Sequence, residues 1–246
     1  MSLRWHWDYL KFQLRGLPLP DPAFFDFLEP GMLVFDVGAN VGNYTRMFLD
    51  KESTVIAVEP QTYCCRFLRR RFFGHRRVTI VQCGVGAREE VRELMVSSSH
   101  MLSSFNPTWV ARVIGTGRFA PNGAVWNVRE KVTMTTLDAL ILKYGRPDYL
   151  KIDVEGYEQD VLEGLHHAVR YLSLEFTIPE LRDDAIACLR ALGGKGRYEF
   201  ASLLHEGPRK WIQADELEQE LYVLGETRKL QNGDILARLV ETGGAP

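Results

Sequence analysis

From residue 32 onward, short apolar runs rich in β-formers alternate with helix-length amphipathic segments, and few architectures accept that order. Met32 to Val37, residues 54 to 58, Val78 to Gln82, Tyr149 to Asp153 and Tyr171 to Phe176 read as buried strands. Helical patterns follow at Tyr44 to Asp50, about Tyr63 to Phe73, after Asp138, at Gln159 to Leu165 and at Ile178 to Leu192. Two late strands, Tyr198 to Leu203 and Asp234 to Leu239, would finish the sheet antiparallel. The expectation is an α/β fold with a doubly wound, mostly parallel sheet of about seven strands. Ligands of such sheets bind beyond the carboxyl ends of the strands, where the strand order reverses.

Two stretches fall outside the alternation. Residues 89–131 break into shorter polar pieces with Gly115, Gly117, Pro121 and Gly123, which predicts a hairpin or lid-like insertion. At the start, Trp5, Trp7, Tyr9, Leu10, Phe12 and Leu14 alternate with Arg4, Lys11 and Arg15, which predicts a capping helix. A membrane-surface or partner-binding role is the alternative reading of those aromatic and basic residues. Pro18 and Pro20 make a turn, and Pro22 to Leu28 fits a second helix. The division is then a helical cap over residues 1–30 and one cooperative domain over residues 31–246.

The formal net charge of −2 gives no general attraction to nucleic acid or anionic membrane. Arg66, Arg69, Arg70, Arg71, Arg76 and Arg77 mostly wrap one helix and read as a solvated face; an RNA track is the competing reading. No apolar run approaches the roughly 20 residues of a membrane span. The four cysteines, Cys64, Cys65, Cys83 and Cys188, include no C-x-x-C pair and read as small buried hydrophobes. With no secretory signal at the start, a cytoplasmic location is expected. Nothing in the pattern sets an oligomeric state.

The segment Val34-Phe35-Asp36-Val37-Gly38-Ala39-Asn40-Val41-Gly42-Asn43-Tyr44 runs from strand through glycines into helix. Gly38 and Gly42 let the backbone turn tightly and approach a ligand. The spacing does not match the G-x-G-x-x-G of dinucleotide sites. Asp36 at the strand end would repel a pyrophosphate and attract a cationic aminoacyl group. Glu59 ends the second strand, 23 residues later, where acids accept hydrogen bonds from ribose hydroxyls. Ribose and amino-acid contacts without phosphate contacts describe S-adenosylmethionine. The plain alternative is that both acids cap helices.

Three blocks, VFDVGANVGN (Val34 to Asn43), VIAVEP (Val55 to Pro60) and TLDALILKYGRPDYLKIDVEGYE (Thr136 to Glu158), resemble the FkbM-type class I methyltransferases. The resemblance spans roughly residues 33 to 176 and implies the Rossmann-like class I methyltransferase fold. It further implies O-methylation of a hydroxyl on a sugar, glycan or small natural product, with S-adenosylmethionine as donor. On the matching blocks, Asp36, Gly38, Asn40, Gly42, Asn43, Glu59, Pro60 and Asp153 are expected cofactor contacts. Gly84 is added on the adenine side, although Cys83-Gly84-Val85-Gly86 stands where family members often carry Asn-x-Ala. Ser104, beside Ser103 in the insertion, is also counted, because similar family members have a serine there.

A hydroxyl acceptor must lose its proton, so a base near the fourth-strand tip would help. Lys151 and Asp153 share one strand face, with Glu155 and Glu158 close behind. In one reading Asp153 contacts cofactor or acceptor and Lys151 or Glu155 is the base. In the other, Lys151 and Asp153 form an ion pair that fixes the strand. Asp153, Glu155 and Lys151 are therefore the catalytic candidates. No metal ligand is assigned, although Asp153, Glu155 and Glu175 are oxygen donors of the kind magnesium takes. His100 and His205 are further possible bases, or solvated loop histidines. A non-catalytic cofactor-binding module and an RNA methyltransferase remain rival readings; an NAD-dependent oxidoreductase fits worst, because of Asp36 and the missing third glycine.

Overall fold

The computed structural model describes residues 25–117, 124–202, 209–226 and 231–240. The expected cap over residues 3–15 and the turn from Gly16 to Asp21 lie outside these residues. The chain enters the sheet at β1 (Leu33–Val37), turns into α1 (Asn43–Asp50), and repeats the unit as β2 (Thr54–Val58), α2 (Thr62–Arg71) and β3 (Val78–Val81). After a short β4 (Gly84–Val85) come β5 (Val91–Val96), α3 (Pro107–Thr116), β6 (Val128–Thr135), α4 (Leu137–Tyr144) and β7 (Tyr149–Ile152). The remainder is α5 (Glu158–Glu163), β8 (Tyr171–Ile178), α6 (Arg182–Gly193), β9 (Tyr198–Ser202), α7 (Ala214–Glu226) and β10 (Gln231–Leu239).

Seven strands form one sheet in the order β3-β2-β1-β7-β8-β10-β9. β1 pairs in parallel with both β2 and β7, so the order reverses between β1 and β7 and opens a crevice at their carboxyl ends. This is the Rossmann-like class I methyltransferase fold. β10 runs antiparallel to both β8 and β9, so β9 points the same way as β8 and only β10 is reversed. The expectation that both late strands run antiparallel is corrected accordingly. The ladder with β10 also carries β8 on to Ile178, paired with Gln231. The helix expected from Ile178 therefore starts only at Arg182, with Asp183 and Asp184 in its first turn favouring its amino terminus.

Strands buried on both faces explain why their residues read as near-continuous apolar runs. One face packs Phe35, Val37, Leu150, Ile152, Leu172 and Leu174 against α4 to α6. The other collects Val34, Phe48, Leu68, Tyr149 and Phe25, with the Phe25, Phe48 and Tyr149 rings meeting edge to face at 5.5 to 6.1 Å. Of the helix expected over Pro22 to Leu28, the described end is a turn at Phe25 to Phe27.

The stretch between β4 and α4 is more regular than expected. β5 and β6 form an antiparallel pair that joins β4 in a three-stranded sheet. Between them lies a 3₁₀ turn at His100–Leu102 and helix α3. Asn106 caps α3 by accepting from the amides of Thr108 and Trp109 at 3.0 and 3.1 Å, and Gly117 ends it at φ 66°. All four cysteines are buried and unbridged. Among the described residues, no helix is long and apolar enough to cross a membrane.

Candidate functional site

A cleft of about 320 Å³ opens at the carboxyl ends of β1, β2, β7 and β8, a size typical of small-molecule sites. Its floor is the turn after β1. The amides of Gly38 and Ala39 both donate to the carbonyl of Val58, at 2.9 and 3.0 Å, which folds this turn over the end of β2. Gly38 has φ 85°, and a Cβ there would overlap the carbonyl oxygen of Asp153. At Gly42 a Cβ would lie 2.6 and 2.7 Å from the Phe72 and Leu68 side chains, so this glycine lets α1 and α2 approach.

Glu59 forms one wall. Its two carboxylate oxygens accept from the amides of Asn40 and Gln61, both at 2.8 Å. Burial pushes its carboxyl up to about 7, against the pull of these hydrogen bonds. The opposite wall belongs to the insertion. Gln61 Nε2 donates to the His100 carbonyl at 2.8 Å, and Asn40 Nδ2 donates to the same oxygen at 3.4 Å. Ser103 Oγ donates to Gln61 Oε1 at 2.9 Å. The segment from His100 to Phe105 is thereby tied to the tip of β2 and lines the cleft.

The third side is the loop after β7. Glu155 has φ 55° and Gly156 φ 83°, and the turn is held from two directions. Glu158 Oε1 accepts from the amides of Val154 and Gly156, at 3.1 and 3.2 Å. From the insertion, Ser104 Oγ donates to the Glu155 carbonyl at 2.7 Å and Asn106 Nδ2 donates to that of Gly156 at 2.6 Å. Asp153, Glu155 and Glu175 each bring a carboxylate oxygen within 4.8 Å of the others. Burial first, then the charges of Asp153, Glu155 and Asp234, hold the Glu175 carboxyl well above its usual range.

Glu59, Asp153, Glu155 and Glu175 line the cleft, and no lysine or arginine among the described residues does. His100 also lines it, but burial lowers its imidazole to about 4, so it is neutral at ordinary pH. A cleft whose described lining carries these carboxyl groups and no basic side chain suits a positively charged ligand better than a pyrophosphate.

A family model described as the methyltransferase FkbM domain matches residues 36–185. The chain belongs to the FkbM methyltransferase family. Its fold is similar to that of a TehB-like SAM-dependent methyltransferase from Corynebacterium glutamicum, with TM-score 0.50 and 8% identity over 96% of this chain and 97% of that one. A precorrin-6y C5,15-methyltransferase from Geobacter metallireducens gives TM-score 0.45 at 13% identity, covering 87% of this chain and 82% of the other. For TYW2 of P. horikoshii in complex with MeSAdo, the values are 0.42, 12%, 88% and 61%. At such identities the likeness concerns the fold alone. No curated protein sequence matches the chain.

Within this FkbM methyltransferase domain, Gly38, Asn40, Asn43, Glu59, Pro60, Gly84, Asp153 and Glu155 all line the cleft. Four other expected site residues do not. Asp36 is fully buried behind it, where Oδ2 accepts from Thr45 Oγ1 at 2.5 Å. Its carboxylate therefore faces α1 rather than a ligand, because Asp36 pairs with Lys151 across β1 and β7 and shares that sheet face. Burial raises its pKa, with Lys151 and Thr45 opposing. Gly42 serves helix packing, as described above. Ser104 points at the β7 loop, while its neighbour Ser103 meets the cleft.

Lys151 lies outside the cleft lining. Its Nζ is buried, 2.5 Å from Asp153 Oδ2 and 4.1 Å from the centre of the Tyr44 ring. Burial opposes its charge, but Asp153, Asp234 and Asp36 outweigh burial and hold the ammonium above its ordinary range. A lysine locked in the protonated form has no free pair with which to take a proton, so the role of base does not fit it. The ion-pair reading holds instead.

Sequence reasoning did not pick out Tyr44, Gln61, Met101 or Phe105, all of which line the cleft. Gln61 carried a signal, since it follows the Glu59-Pro60 pair at the start of α2. His205 lies outside the described residues.

Proposed function

We propose that this protein is an S-adenosylmethionine-dependent O-methyltransferase whose acceptor is a hydroxyl of a sugar, glycan or small natural product. The observation that carries the cofactor is the arrangement of the cleft: Glu59 at the tip of β2 at one end, Asp153 and Glu155 at the other, and no lysine or arginine among the described lining residues. Each Glu59 oxygen keeps a lone pair beyond its backbone hydrogen bond, so the pair can accept from the two hydroxyls of a ribose. Asn40, Gln61 and Pro60 frame that end, and Gly84, Val85 and Leu94 offer apolar surface for a base. Asp153 and Glu155 stand at the other end, fitted to an ammonium or sulfonium. When bound, the cofactor supplies a methyl group already activated for displacement.

The protein's own residues then align and deprotonate the acceptor. Glu155 is half-exposed at the mouth of the cleft, and its backbone is fixed by Ser104. We assign it the proton of the acceptor hydroxyl. Asp153, held by Lys151, fixes the cationic end of the donor. The walls from His100 to Phe105 exclude water from the reacting centre, which helps an in-line transfer at carbon.

The test is calorimetric titration with S-adenosylmethionine, S-adenosylhomocysteine and NAD, followed by methyl-transfer assays on sugars and glycosylated metabolites. Binding of the first two alone, with transfer to a hydroxyl that falls at least tenfold in Glu155→Gln, supports the reading. Binding of NAD alone removes it, and cofactor binding with no transfer across the panel points to a non-catalytic module.

A further inference from the structure

Positive charge is unevenly spread along this chain. Between Arg46 and Arg77 the sequence holds eight lysines and arginines against three acids, in a chain of net charge −2. Much of this charge lies on α2 and the turn that follows. Arg66, Arg70 and Phe73 are exposed and spaced four and three residues apart, so they form one stripe along the helix and off its end. Phe73 is 91% exposed, the most exposed of the large hydrophobic side chains among the described residues. Gly74, at φ 74°, turns the chain sharply behind it, and Arg76 and Arg77 follow.

The pairing of the arginines separates two groups. Arg71 donates to the Val41 carbonyl and to Asn43 Oδ1, both at 2.8 Å, and so ties α2 to the turn after β1. Arg69 reaches Gln82 at 3.0 Å, and Arg77 lies 3.9 Å from Glu52. Those three have structural partners. The side chains of Arg66, Arg70 and Arg76 have no hydrogen bond or ion pair among the described residues, and all three are exposed. Three uncommitted guanidinium groups on the same helix and turn as one exposed phenylalanine are the elements of an interfacial anchor: the ring enters the boundary between headgroups and acyl chains, and the arginines meet the phosphates.

We propose that α2 and the Phe73 turn dock this protein on an anionic phospholipid surface. Nucleic acid would satisfy the same charges, but a single aromatic at a projecting turn gives no platform on which successive bases stack. None of Arg66, Arg70, Phe73 and Arg76 lines the cleft, so docking and methyl transfer use separate surfaces. The inference is therefore independent of the acceptor.

The experiment is co-sedimentation of the full chain with phosphatidylcholine vesicles, with and without phosphatidylglycerol, at low and high salt. The expected result is binding that requires phosphatidylglycerol and weakens with salt, with a loss of about fivefold for each arginine neutralised among Arg66→Gln, Arg70→Gln and Arg76→Gln. Phe73→Ala should weaken binding to the same vesicles while leaving S-adenosylmethionine titration and the melting temperature unchanged. No binding, equal binding to neutral vesicles, or binding unaltered in the triple arginine variant overturns the proposal. Retention of a single-stranded RNA oligonucleotide that depends on the same arginines, without vesicle binding, would overturn it in favour of the nucleic-acid reading.

Discussion

Glu59 makes the sharpest quantitative demand on the proposed cofactor site. Burial pushes its carboxyl up to about 7, because the two backbone amides only partly offset the loss of water. A ribose donates two hydroxyl protons, so the ionised carboxylate is the form that binds. At pH 6 that form is about one part in eleven, and at pH 8 about ten in eleven, so affinity should rise about tenfold between them. At pH 7 binding should release about half a proton. The suitable ligand is 5′-methylthioadenosine, which keeps adenine and ribose but has no titrating amino acid to confuse the reading. Calorimetry in two buffers of different ionisation enthalpy gives affinity and proton release together. A flat affinity from pH 6 to pH 8 with no proton released would refute the ribose role of Glu59.

Other outcomes follow from the same geometry. Gly38→Ala forces a side chain at φ 85° against the Asp153 carbonyl; strain of about 1–3 kcal/mol should lower the urea midpoint, and titration should show cofactor affinity falling as the β7 loop moves. Lys151→Met leaves Asp153, Asp36 and Asp234 without their shared cation, so denaturant unfolding should show a loss of about 3–5 kcal/mol. Ser104→Ala removes the donor to the Glu155 carbonyl, which should cost about 1–3 kcal/mol and lower kcat more than it raises KM for the cofactor. Glu59 and Glu158 are raised from 4.5 to about 7 and Asp234 from 3.8 to about 6. Acids raised in this way favour the folded state most below their unfolded pKa. The melting temperature of the free protein should therefore fall from pH 5 to pH 8, and a rise over that interval would contradict the burial of these groups.

In the parallel half of the sheet the edge strand β3 is only partly buried, while β1, β2, β7 and β8 were legible because each is buried on both faces, which leaves an uninterrupted apolar run. Residues 54 to 58 show this, with Val55 to Val58 all buried. The insertion was harder, since glycines at 115 and 117 looked like loop punctuation. One of them is a helix stop, and Asn106-Pro107 was the matching start signal. Helix α7 also went unread, although Asp215 and Glu216 open it and Leu217 and Leu221 share its buried face. The site divided along similar lines. Backbone-forming glycines and strand-tip acids are local features that spacing reveals. Whether Asp36 or Lys151 faces a ligand depends on cross-strand neighbours tens of residues away, and spacing holds no record of those.

The insertion grips the loops around the cleft through several hydrogen bonds: Gln61 and Asn40 hold the carbonyl of His100, Ser103 holds the Gln61 side chain, and Ser104 and Asn106 hold the carbonyls of Glu155 and Gly156. Ser103, Ser104 and Asn106 are the insertion's own side chains in this set, and Arg112 and Thr116 of α3 add contacts to Glu180 beyond β8. Helix α3 is thus anchored at both ends, to the β7 loop through Asn106 at its start and to the segment after β8 through Arg112 and Thr116. A change in α3 would therefore reach the Glu155–Gly156 turn and the segment after β8 together.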